Sequence, residues 1–339
     1  MPAPVPRRSL ATFTDTPAPT VPAAATSAAP ATPAPRPPAA SRRPNRALGL
    51  IAIFASTTAM GTAGVFGRLS SPPGEVMGEA LTMGRMLVGA LGILVLLTIT
   101  GRRHLLRQTR LSPAVVLGGV FLGLSFALML SATVLTDLAL AVALLYLGPV
   151  LATILARVVL KESPTRAETL TLAAAFTGMM LVAGLIEGPT TASENHLLGV
   201  LLGVASGVLY GAALLCYRFR ADMPADVRSF WNFTFGTLAT GAMVALTRPD
   251  LSAMTPANWA WALTFFAVCG LLALGLLVLA GKHLRTAELS RTSYWEVVVA
   301  LLLGAALFGE TISALNWAGV AIIVAAAGLP LLRVRRGVR

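Results

Sequence analysis

Beyond residue 46 the chain alternates between long apolar runs and short polar breaks. Ten runs are predicted, at about 47–67, 78–100, 113–135, 138–159, 168–186, 197–217, 229–247, 258–280, 292–309 and 313–332. Each approaches the ~20 residues that cross ~30 Å of hydrocarbon at ~1.5 Å per residue. Lipid offers no partner to a backbone N–H or C=O, so runs of this length must bond internally, as helices. The pattern predicts an all-α integral membrane protein of ten transmembrane helices. Its tightest break is Thr136–Asp137, between spans three and four.

Residues 1–46 differ in kind. They hold 12 of the 22 prolines, with abundant Ala and Thr. Such a segment cannot bury a core, and a disordered cytoplasmic tail is expected. No continuous apolar stretch precedes residue 47, so no signal peptide is expected there.

Composition turns the pattern into an exclusion. Of 339 residues 56% are hydrophobic and only 12% charged, against about 25% charged in soluble domains. So few charges cannot cover that much apolar surface in water, which excludes a soluble enzyme. Two cysteines and three histidines, with no HExxH spacing, make neither a disulfide framework nor a metal cluster. No Walker A motif is present, and no cofactor is expected.

The net charge is +12, from 26 Lys and Arg against 14 Asp and Glu. A basic balance can mean nucleic acid, but single-strand binding needs aromatics interleaved with the basic residues, and here there are almost none. The positive charges instead alternate with the spans. Twenty-two of the 26 lie in tails and breaks on one side, two (Arg68 and Arg248) lie opposite, and two sit within spans. By the positive-inside rule both termini are cytoplasmic. Arg outnumbers Lys 24 to 2, a codon bias that points to a GC-rich bacterial genome.

The chain also matches itself. An offset of 148 residues lays the five spans of 47–186 over the five of 197–332, most clearly 146-YLGPVLATILARVVLKE-162 over 294-YWEVVVALLLGAALFGE-310. Five is odd, so the second half enters the membrane from the opposite side. The charges agree: four arginines lie in 101–112 and none in 249–260. Two inverted five-helix repeats are a recurrent construction of secondary transporters, although a duplication without a transport role has the same signature.

These features resemble the EamA-like branch of the drug/metabolite transporter superfamily. The resemblance is carried by 143-ALLYLGPVLATILARVVLKESPT-165, by its second copy 295-WEVVVALLLGAALFGETIS-313, and by Arg85 early in span two. It covers roughly 47–332 and implies a bacterial cytoplasmic-membrane carrier that exports or exchanges amino acids and other small metabolites. Glu296 is followed by Val297, where that family usually has proline, which removes the basis for a proline kink in span nine.

Ionisable groups inside a membrane cost at least ~2.5–3.5 kcal/mol and are functional candidates by default. Two lie well inside spans. Glu296 shares a face with Ala300 and Gly304, so it should point inward, where it could exchange a proton, meet a substrate ammonium, or serve packing alone. Arg85 could attract an anionic group or tie helix ends through Glu79 or Glu75. Its recurrence in members with varied substrates favours the structural role. Tyr146, Tyr210, Tyr294 and Trp295 are candidate pocket walls. Trp231, Trp259 and Trp261 begin spans seven and eight as an interfacial belt, and Glu162 and Glu310 are candidate caps at span ends.

The expected function is therefore a secondary transporter working by alternating access, whose partners are the lipid bilayer, a small-molecule substrate and protons, as monomer or homodimer. A membrane enzyme acting on lipid-linked substrates would instead need acidic or His residues clustered at one face. A noncatalytic membrane partner or sensor would need a large ordered soluble segment.

Overall fold

Helix ends in this chain are set by local chemistry, and every regular element among the described residues is helical. The computed structural model describes residues 45–161, 166–182, 195–220, 222–284 and 286–334. The expected N-terminal tail therefore lies almost wholly outside the described residues, as does Glu162. Helix α1 (Arg46–Gly61) begins where Asn45 accepts a hydrogen bond from the Leu48 amide, satisfying one of the orphan donors of a helix start. After a bend at Thr62 the chain continues as α2 (Ala63–Ser70), then α3 (Gly78–Ile99), the short α4 (His104–Gln108) and α5 (Pro113–Leu135). Thr136 is fully extended and ends α5, and α6 (Leu138–Leu145) starts two residues on, so the tight break falls at Thr136–Asp137.

Next come α7 (Leu147–Val159), α8 (Arg166–Val182), α9 (His196–Arg218) and α10 (Ala225–Thr247). Between α9 and α10, Arg220 grips both oxygens of Asp222 and holds that carboxyl below its ordinary range. Thr255 and Asn258 form a reciprocal capping box at the start of α11 (Pro256–Phe265). A π-helical stretch, Phe266–Leu272, joins it to α12 (Ala273–Gly281), followed by α13 (Thr286–Ser293), α14 (Trp295–Phe308) and α15 (Ala314–Val334).

Among the described residues six helical stretches are long and apolar enough to cross a bilayer: Arg46–Ser70, Gly78–Ile99, Pro113–Leu135, Leu138–Val159, His196–Arg218 and Pro256–Gly281. Trp295–Phe308 and Ala314–Ala325 are shorter apolar helices. The other expected spans are also helical, as α8 and α10, with Asp226, Arg228 and Asn232 making the start of α10 more polar. Large apolar side chains such as Ile99, Val158 and Leu246 stand exposed on the outside, as a lipid-facing surface requires.

Spans one, four, eight and nine are not continuous α-helices, contrary to the uniform runs read from hydropathy. Span four breaks at Tyr146, just before Pro149, which has no amide to offer the Leu145 carbonyl. Span nine breaks at Tyr294 without a proline, and span eight widens through the π stretch. Neighbours and local turns re-satisfy the freed backbone groups, which is what lets a membrane helix break. The Tyr146 amide reaches both Val142 and Ala143 carbonyls, and the Ser56 hydroxyl donates to the Ala273 carbonyl at 2.7 Å, where the π stretch ends.

Element bounds recur at the 148-residue offset. It carries α6 onto α13 end for end, and the starts of α7 and α8 onto those of α14 and α15. Packing follows the same exchange: α1 lies along α12 as α9 lies along α5, while α3 meets α10 and α8 meets α15. The α5–α10 contact is close enough that a Cβ on Gly123 would come within 2.7 Å of the Gly236 backbone.

Candidate functional site

The helix breaks converge on a cavity of about 120 Å³. Ser56, Thr57 and Met60 of α1 line it, with Arg85 of α3, Phe126 and Met129 of α5, Tyr210 of α9 and Leu277 of α12. Tyr146 enters from the α6–α7 break, and Ser293 and Glu296 from either side of the α13–α14 break. The breaks thus turn a backbone carbonyl and two side chains toward one space.

The Tyr146 hydroxyl lies 2.7 Å from Glu296 Oε2 and 2.8 Å from the Ser293 carbonyl. One hydroxyl proton serves two acceptors, so Tyr146 can release the carboxylate without losing a partner. Arg85 is 3% exposed. Its Nη2 lies 3.1 Å from the Met60 thioether, and its Cζ sits 4.7 Å above the Phe126 ring centroid and 5.6 Å above that of Phe265. Its Nε has no acceptor, and no carboxylate among the described residues comes within 4.0 Å of the guanidinium. The helix-end partners anticipated for it are otherwise placed: Glu79 accepts from the Thr247 hydroxyl at 2.8 Å, and Glu75 forms no ion pair with Arg85.

Four of the six residues singled out from sequence therefore meet in the cavity: Glu296, Tyr146, Tyr210 and Arg85. Two do not line it. Tyr294 is buried against the Tyr146 ring, centroids 5.3 Å apart, behind the wall. Trp295 turns outward, donating from Nε1 to Thr58 at 3.1 Å and meeting Phe54 edge-on at 6.0 Å. Ala300 and Gly304 are buried on the Glu296 helix, with Gly304 against the Glu310 carboxylate. Ser56, Ser293 and Phe126 were not legible as site residues. Ser56 and Ser293 are two among many small polar side chains in the spans, and Phe126 gains meaning only from Arg85 beside it.

Glu310 does cap an element, though a distant one. It accepts from the Leu138 amide, at 3.0 and 3.2 Å, and pairs with Arg68 at 2.7 Å. Arg68 also donates to the Thr133 and Thr136 carbonyls, so the ends of α2, α5, α6 and α14 meet at one buried clasp. The interfacial belt is only partly formed: Trp259 and Trp261 are exposed, whereas Trp231 is half-buried and stacked on Phe235. Among the described residues no group of three His, Cys, Asp or Glu side chains could hold a metal ion.

The EamA-like transporter family model matches residues 47–184 and again 197–331. A solved chain described as "Crystal structure of protein" superposes with a TM-score of 0.64 at 20% identity, covering 87% of this chain and 100% of its own. That likeness concerns the fold. No curated protein matches by sequence.

Proposed function

Because the chain belongs to the EamA-like transporter family, a family of membrane transporters, we propose that it is a ten-helix secondary carrier moving a small metabolite by alternating access. In this reading 47–186 and 197–332 are inverted five-helix repeats, both termini are cytoplasmic, and the membrane is that of a bacterium. The observation that carries it is the cavity: a space among broken helices, with one charge from each half, Arg85 and Glu296. Broken helices around a midplane site are how carriers place polar groups in lipid without exposing them. The recurrence of element bounds at 148 residues, and of helix pairings under the same offset, supports the repeat.

Amino acids and similar metabolites are the substrates to test first. Glu296, held by Tyr146, is the residue for proton exchange or for a substrate ammonium, and Tyr210 walls the cavity beside Phe126. The test is counterflow in proteoliposomes against amino acids, nucleosides and organic cations at two pH values. Flux of at least one class is expected, and Glu296→Gln should abolish its pH dependence while protein still reaches the membrane. Inserted protein that moves nothing overturns the carrier reading, and an unchanged pH profile in the variant removes Glu296 from coupling.

A further inference from the structure

We propose that Arg85 is the anion receptor of the cavity, and that the carried molecule presents a carboxylate to its guanidinium. This rests on the carrier reading and names the group by which the substrate is held. A buried cation normally has a counter-charge, because taking it from water is costly and only a close partner offsets that cost. Arg85 is buried at the cavity edge with a thioether, two aromatic rings and an Nε without an acceptor. Thioether sulfur is a weak acceptor, and the rings offer only a cation–π attraction.

Arg68 in the same protein provides the contrast. As a structural arginine it is saturated, by Glu310 and by two backbone carbonyls. Arg85 has none of these. The cavity's own carboxylate makes no contact with it: Glu296 attracts the guanidinium only across more than 4.0 Å and is bonded to Tyr146 instead. The place for a directly bonded counter-charge on Arg85 is thus open to what enters the cavity, and the planar fork of a guanidinium matches a carboxylate.

The probes are L-alanine, L-serine and L-threonine, each beside the amide that replaces its carboxylate with a neutral group. Uptake is measured in proteoliposomes and corrected for protein-free vesicles. Wild type should prefer each acid over its amide by at least about tenfold, as a site built around a specific polar group discriminates. Arg85→Gln should erase that preference. Arg85→Lys, which keeps the charge but loses the fork, should raise the KM for acids more than it lowers kcat. The wild-type acid and amide comparison stands even where a variant fails to insert. Amides carried as well as acids, flux confined to compounds without a carboxylate, or an unchanged acid preference in Arg85→Gln overturns the anchor alone. Absence of flux across the whole panel, nucleosides and organic cations included, overturns the carrier reading and the anchor with it.

Discussion

Replacing Glu310 with Ala is expected to destabilise the fold by about 3–4 kcal/mol. The magnitude follows from the clasp. The Glu310 side chain is 3% exposed and Arg68 15%, with 2.7 Å between them. Removing one partner of a buried pair costs about 3–5 kcal/mol, because the other charge is left stranded. Arg68 would retain the Thr133 carbonyl at 2.5 Å, the Thr136 carbonyl at 2.7 Å and the Phe308 ring at 4.6 Å. Those contacts place the loss at the low end, near 3 kcal/mol. The Leu138 amide loses its acceptor as well, adding up to about 1 kcal/mol.

Glu310→Gln keeps an acceptor for Leu138 and one oxygen for Arg68, so its cost should fall to about 1–2 kcal/mol. The assay is chemical unfolding in detergent across a four-member cycle of wild type, Arg68→Ala, Glu310→Ala and the double variant. A coupling of about 1–3 kcal/mol is expected for groups in one bonded network. If Glu310→Ala stays within about 0.5 kcal/mol of wild type, or the coupling vanishes, the pair is effectively solvated. The four helix ends would then be held by apolar packing alone.

Gly123→Ala should cost about 1–3 kcal/mol by overpacking, since its Cβ would meet Gly236 backbone at 2.7 Å. Gly275→Ala, where nothing lies within 4 Å, should be neutral or stabilise by up to about 1 kcal/mol in the same unfolding assay. Equal effects at the two positions would refute the close α5–α10 contact. Ser56→Ala removes the donor to the Ala273 carbonyl and should cost about 1 kcal/mol; no loss would mean that carbonyl is satisfied otherwise. Trp295→Phe keeps the ring beside Phe54 and loses the bond to Thr58. Its KM should stay within about twofold, as the residue stands outside the cavity. A tenfold rise would put it in the wall.

What sequence conveyed and what it did not divide along physical lines. A span is a local property, because about twenty apolar residues in lipid leave the backbone no alternative to a helix. Charges inside spans stand out for the same reason, and Arg85 and Glu296 were legible on that ground alone. Helix breaks are only partly local in this sense. Span four carries a cue in Gly148–Pro149 just past Tyr146, whereas at Tyr294 the polar α13 gives way to the apolar α14 with no proline or glycine to mark an interruption. Direction is subtler still. Trp295 and Glu296 are neighbours in sequence, yet consecutive helical residues point about 100° apart, so one lines the cavity while the other faces Thr58 and Phe54. Arg85 shows the remaining gap: its burial was foreseeable, but its lack of a carboxylate partner follows from where Glu79 and Glu296 find theirs.

The two halves agree in frame and differ in chemistry, and the difference has a physical logic. At the 148-residue offset Arg85 corresponds to Phe233, buried beside Met86 and Ile93, and Glu296 corresponds to Gly148. A carrier alternating between two accessible states needs those states within a few kcal/mol of each other, and a frame with matching elements in each half provides near-equal packing for both. Its cavity is under no such constraint. A second arginine in the same apolar surroundings would repel the first across a low dielectric, with no substrate charge to offset it. A side chain at Gly148 would displace the Tyr210 ring, whose Cδ1 would lie 2.6 Å from any Cβ there. The duplicated frame thus accommodates one cation and one carboxylate, each contributed once, and the room left by Gly148 is what lets Tyr210 reach the cavity they share.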